Sequence, residues 1–186
     1  MATPVGTFTA EKVISRVLSR IPEGNGDIGI EMPTSPLRIK ILNELNLQIA
    51  EAYKKVNSDE IELYYVEVPV TFVNNLFNLR SISDFEGFIE LREALYGSIN
   101  KTSTLRLETL FNSLYYDDCF ACSTYGDFLK LFIGNNLTTS GRTFFLKYLR
   151  LPNVIVSPTE LVDIPDNYIE KIIDSIVNVF SSNSKK

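Results

Sequence analysis

Catalysis needs nucleophiles, acid–base groups or metal ligands at a workable spacing, and this sequence offers few. Cys119-Phe120-Ala121-Cys122 is the only C-x-x-C. A zinc site built on it would need two further ligands, and the chain has no histidine to supply them. A redox pair of this spacing opens a helix after a strand, whereas Asp117, Asp118, Ser123 and Thr124 flank it like strand and turn. Two reduced thiols, at least one buried, are expected instead. Carboxylates recur at Asp117-Asp118, at Asp84 with Glu86, and at Asp163 with Asp166. Such pairs can hold Mg²⁺ or move protons, but neighbours in sequence point apart on a strand. Asp84 and Asp166 also sit where turns and helix caps recruit aspartate. Gly24-Asn25-Gly26 lacks the lysine and the preceding strand of a phosphate loop. The expectation is no catalytic residue, no cofactor and no metal; a Mg²⁺ enzyme using Asp117, Asp118 or Asp163 is the enzymatic alternative.

Composition narrows the classes further. Without histidine there is no Ser-His-Asp or Cys-His relay, which excludes most hydrolase mechanisms. At 186 residues, 45% hydrophobic and 22% charged, the chain suits a single globular domain, 1–186, whose core needs no disulfide. Eighteen basic against 23 acidic side chains give a net charge of −5, so counterion-displacing contact with DNA is not expected. No apolar run reaches the roughly 18 residues of a membrane span, and Met1 to Thr9 does not read as a signal peptide. An intracellular chain follows, in which Asn100-Lys101-Thr102 and Asn136-Leu137-Thr138 are turn residues and not glycosylation sites.

The elements that would position any site follow from periodicity. Val13, Ile14, Val17, Leu18 and Ile21 predict a one-sided helix over 9–21, followed by a surface loop from Pro22 to Ser35. Ser35-Pro36 is an N-cap with proline in the first turn, opening a long helix along Leu37, Ile41, Leu45, Ile49, Ala52, Tyr53 and Val56. The period then becomes two. Val66, Val68, Val70 and Phe72 predict a strand that Pro69 places at an edge or bulge. Asn74-Asn75 reads as a hairpin turn into Leu76–Leu79, and Ile89 with Leu91 predicts another strand. Leu107, Leu110, Phe111 and Leu114 predict a short helix over 104–115. Leu129, Leu131 and Ile133 alternate up to an exposed hairpin loop, Gly134–Gly141, and Thr143–Leu151 is a strong strand. Ile169, Ile172, Ile173, Ile176 and Phe180 stripe a closing helix begun by Pro165-Asp166.

The sum is an α+β fold: a helical bundle of the N-terminal, long second and C-terminal helices with an inserted antiparallel β-hairpin region over 60–152. Residues 1–8 and 181–186 read as flexible tails. Adjacent aromatics at Tyr64-Tyr65, Tyr115-Tyr116 and Phe144-Phe145 must put one member of each pair outward on a strand. With no basic stripe beside them, subunit contacts are a better use than base stacking. The candidate interface residues are Phe144, Phe145 and Tyr148, the loop residues Asn135 and Asn136, and the tail Ser181, Ser182, Asn183, Ser184, Lys185 and Lys186.

The element order and the closing segment carry a resemblance. Tyr148-Leu149-Arg150-Leu151-Pro152, followed by Ile164-Pro165-Asp166-Asn167-Tyr168-Ile169-Glu170-Lys171-Ile172-Ile173, is similar to the head-to-tail adaptor proteins of tailed bacteriophages. There a last strand ending in Tyr-x-x-x-Pro precedes an Ile-Pro-Asp-x-Tyr start to a closing helix. The resemblance implies a structural virion protein without catalysis, assembled in the host cytoplasm. Its copies would form a ring at the head–tail junction, usually of about twelve. The partners implied are other copies, the portal protein and tail or further ring proteins, with the segment Ser181–Lys186 reaching toward the portal and the β-rich part facing the tail. DNA would pass through the channel without specific binding. The long Pro22–Ser35 loop and the lack of tryptophan depart from the family pattern. A small intracellular protein-binding or regulatory module is the alternative.

Overall fold

Thr9 and Ser35 start their helices by the same device. Each side-chain oxygen accepts an N–H three residues on, from Lys12 and from Arg38, which satisfies a donor that the first turn leaves open. In the computed structural model, which describes residues 3–21, 35–94, 102–107, 120–134 and 136–183, helix α1 spans Ala10–Leu18 and α2 spans Pro36–Tyr53. A short helix α3, Ser58–Ile61, precedes strands β1 Tyr65–Val70, β2 Leu76–Asn78 and β3 Phe85–Ala94. Strands β4 Thr102–Thr104, β5 Arg106–Leu107, β6 Phe120–Tyr125, β7 Phe128–Ile133 and β8 Thr143–Arg150 follow, and α4, Ile169–Asn183, ends the order. The chain forms two compact units: Met1–Tyr64 together with Pro152–Lys186, and Tyr65–Leu151.

The helical unit draws on both ends of the chain. Val13, Ile14 and Val17 of α1, Ile41, Leu45 and Ile49 of α2, and Ile169, Ile172, Ile173 and Ile176 of α4 are all buried, and the three helices touch pairwise. Arg16 of α1 and Arg20 just after it pair with Glu170 and Asp174 of α4; these exposed bridges add little stability but favour one register. Arg38 of α2, mostly buried, pairs with Glu11 of α1, and the guanidinium beside it holds the Glu11 carboxyl below the usual carboxylate range. The N-terminal segment runs antiparallel to residues 158–162: Phe8 O accepts from Val162 N–H at 2.8 Å, and Glu160 O accepts from Ala10 N–H at 2.9 Å. Fully buried Asp163 completes the junction. Its Oδ1 accepts Val5 N–H at 2.8 Å, its Oδ2 accepts Asn153 N–H at 2.7 Å, and its carbonyl takes the Tyr64 hydroxyl at 3.1 Å. Val5 and Thr7, read from the sequence as part of a tail, are thus tied down, Thr7 through Asp166.

The middle unit holds two four-stranded sheets, ordered β1-β8-β3-β4 and β2-β7-β6-β5. Every second residue of β8 from Phe144 to Arg150 is buried, and β8 is flanked antiparallel by β1 and β3. Val70, Leu91, Phe144, Leu146 and Tyr148 of the first sheet share one core with Phe120, Cys122, Leu129 and Leu131 of the second. Pro69 lies on β1, an edge strand, where its missing N–H costs no ladder bond. Asn74 and Asn75 both adopt positive φ, 51° and 61°, the turn geometry that asparagine tolerates.

This arrangement overturns the helical bundle with an inserted β-hairpin region: the β part is a two-sheet unit with its own core. The start of the expected helix over 104–115 is also corrected. Residues 102–104 and 106–107 are strands, and 108–119 lie outside the described residues, as does 22–34 of the expected loop. Gly134–Gly141 is no hairpin loop, because β7 and β8 belong to different sheets. The hairpin lies earlier, between β6 and β7 at Gly126-Asp127, with Gly126 at φ 56°.

Replacing Asp163 by Ala strands two amide donors. We expect Asp163→Ala to lower the unfolding free energy by about 3 kcal/mol in urea titration, against under about 0.5 kcal/mol for Asp59→Ala on the exposed face of α3. Gly6→Ala should destabilise by about 1–3 kcal/mol, since a Cβ there collides with the Val162 and Ile164 carbonyl oxygens.

Candidate interaction surfaces

β8 is a central strand, so its alternation decides which candidate interface residues can meet a partner. Phe144 and Tyr148 point inward, 4% and 3% exposed. Phe144 packs edge-on to Phe72 at 5.6 Å and Phe120 at 5.4 Å. The Tyr148 hydroxyl donates to Asp84 Oδ1 at 3.0 Å, and burial, with the Asp84 carboxylate as second cause, pushes its pKa up to about 12. Both are core residues, which corrects their reading as an interface patch. Phe145 points to the opposite face and is half-buried there, opposite Pro69 on one side and Arg92 on the other. Around it run the charges Glu67, Lys147 and Glu90, aligned across three strands.

Ser181, Ser182 and Asn183 belong to the last turn of α4 and are not a tail; the Ser182 hydroxyl donates to Asn178 O at 2.7 Å. Asn136 is exposed. Asn135, Ser184, Lys185 and Lys186 lie outside the described residues, together with Asp117, Asp118 and Cys119.

The side chains with chemical potential serve the fold where they are described. Cys122 is buried in the middle unit's core, and burial pushes its thiol up to about 12. Asp84 accepts from Tyr148, and Asp166 accepts Thr7 N–H at 2.9 Å and the Thr7 hydroxyl at 2.5 Å. Asp163 accepts the backbone N–H groups of Val5 and Asn153. Among the described residues no three His, Cys, Asp or Glu side chains gather where they would hold a metal ion.

Two surface features escaped the sequence reading. Asn46 of α2 grips the backbone of Ile155, donating to its carbonyl and accepting its N–H, both at 2.9 Å. The extended segment around Ile155 therefore lies along α2 with alternate side chains outward. Val154 is 67% and Val156 72% exposed, and Leu47, next to Asn46, is 61% exposed. An unbroken run of three β-branched residues, Val154-Ile155-Val156, was the available signal. The second feature is a groove of about 280 Å³ where α2 ends and α4 begins, lined by Gln48, Lys55, Asn57, Tyr168, Lys171 and Ile172 among others. No periodicity marks it, because its residues come from segments more than a hundred positions apart. Burial, and then Glu60, raises the Tyr168 hydroxyl at its edge. No protein-family model and no curated protein matches this chain.

A thiol that ionises near pH 12 is inert at pH 8, since the thiolate is the nucleophile. In a Cys119→Ser background, Cys122 should react with Ellman's reagent at pH 8 only at the rate of unfolding, and in seconds once guanidinium is added. Rapid labelling of the folded protein would contradict its placement in the core.

Proposed function

We propose that this chain is a non-catalytic assembly protein of the tailed-phage head-to-tail junction. Its copies form a ring of about twelve that joins portal to tail and continues the DNA channel. One observation carries this reading: both ends of the chain build the helical unit, and the β part lies between them. That order of elements is the one on which the resemblance in the Ile164–Ile173 segment rests. The β unit is larger than the resemblance implies, so the reading concerns position and assembly, not a shared helical bundle.

The chemistry of the side chains agrees with assembly. The described carboxylates and the thiol with catalytic potential are spent on caps and core. A cyclic ring needs two different patches per subunit; the Leu47, Val154 and Val156 surface of the helical unit and the Phe145 face of the middle unit are the assigned pair. Twelve copies at −5 each would carry about −60, a channel wall that repels phosphates and lets DNA slide. No described helix is long and apolar enough to cross a membrane. In this reading the protein resides in the virion, at the head–tail junction, with the portal protein and tail or further ring proteins as partners.

Native mass spectrometry of the full chain, alone and with the portal protein of the same genome, tests this. We expect a discrete assembly of about ten or more copies with the portal, and its loss in Val156→Asp and Phe145→Asp variants that keep wild-type circular dichroism. A monomer that ignores the portal would overturn the reading in favour of a small protein-binding module.

A further inference from the structure

The groove at the end of α2 combines apolar lining residues with two cations, Lys55 and Lys171. Ile172 is its most deeply buried lining residue and Ala52 lies beside it. Glu51, which lines the groove, and Glu60, bonded to its lining residues, already have partners. Glu51 accepts from Lys54 Nζ at 2.7 Å, and Glu60 accepts from Asn167 Nδ2 at 2.9 Å and the Tyr168 hydroxyl at 3.0 Å. Lys55 and Lys171 line the same groove, and neither ammonium has a carboxylate within ion-pair distance among the described residues. Lys171 Nζ lies 6.0 Å from the centre of the Tyr168 ring, which leaves its donors directed to solvent or to a ligand.

We infer that this groove takes an acidic peptide segment of a partner protein. A Glu or Asp carboxylate sits between Lys55 and Lys171, and a neighbouring apolar side chain rests on Ala52 and Ile172. Charge complementarity carries the choice: on a chain of net charge −5, two ammoniums without an ion-pair partner among the described residues, beside Ala52 and Ile172, form a local site for a negative, partly apolar ligand. A volume of about 280 Å³ holds one or two side chains and not a whole helix. The groove lies wholly within the helical unit, so it serves a ring protein or a small binding module equally and does not rest on the portal reading.

Fluorescence anisotropy of a short fluorescein-labelled peptide of alternating Leu and Glu, titrated with the full chain at low salt, tests the assignment. Saturable binding is expected, weakened about threefold by Lys55→Ala or Lys171→Ala and about tenfold by both. Lys40→Ala, on exposed α2 surface away from the groove, should leave it unchanged, and amide shifts on binding should centre on Lys55, Tyr168 and Lys171. Absence of binding, equal binding of the Leu-Gln peptide, or indifference to the double substitution would overturn it. Full displacement by equimolar inorganic phosphate would also overturn it, because the site would then be a simple anion site with no use for its apolar lining residues.

Discussion

A single carboxylate fixes the helical unit. Asp163 has no solvent contact, so its carboxyl oxygens need protein donors, and the N–H groups of Val5 and Asn153 are two of them. These donors come from the start of the chain and from the point where it returns from the β unit. Through its own carbonyl the same residue receives Tyr64, the last residue before the chain leaves. Three strands of chain, distant in sequence, are thus held at one residue. A buried polar group stripped of its partners costs far more than one hydrogen bond contributes, so the arrangement is nearly all-or-none.

Most helices were legible because their signals are local. Thr9, Ser35 with Pro36, and the isoleucine stripe of α4 each act within a few residues, and the helices begin where those residues say. Strands β1, β3, β7 and β8 were legible by alternation, and the edge position of β1 by Pro69. What failed was pairing and the start of the helix expected over 104–115, where the described residues 102–104 and 106–107 are strands. Leu107 belongs to a two-residue strand beside β6, too short for its period to show, and a leucine every three or four positions reads as helix. The two-sheet architecture depends on which strands meet, and that is set by contacts such as Phe72 and Phe120 on Phe144, which no periodicity encodes.

The candidate surface fared less well for a related reason. Adjacent Phe144 and Phe145 guarantee that one aromatic faces outward, but the choice needs the register of β8 against β1 and β3. That register turns Phe144 and Tyr148 inward and leaves Phe145 on the far face. Val154 and Val156 are outward because Asn46 turns the backbone of Ile155 toward α2, a contact across more than a hundred positions. Interaction surfaces are what remains after a core has taken its share, and their residues carry little local pattern.

Tyr65 lies opposite Leu149 in the β1–β8 ladder, so the middle unit leaves and returns to the rest of the chain at neighbouring points. Everything it needs has been synthesised once Leu151 is made. The helical unit is in the opposite position: α1 and α2 are translated before α4, which packs against both, and Asp163, which holds Val5 and Tyr64, also follows the β unit. The helical unit therefore cannot be completed until α4 has been made, well after the last residue of the β unit. On the ribosome the β unit is complete in sequence while the apolar stripes of α1 and α2 still lack their α4 partner.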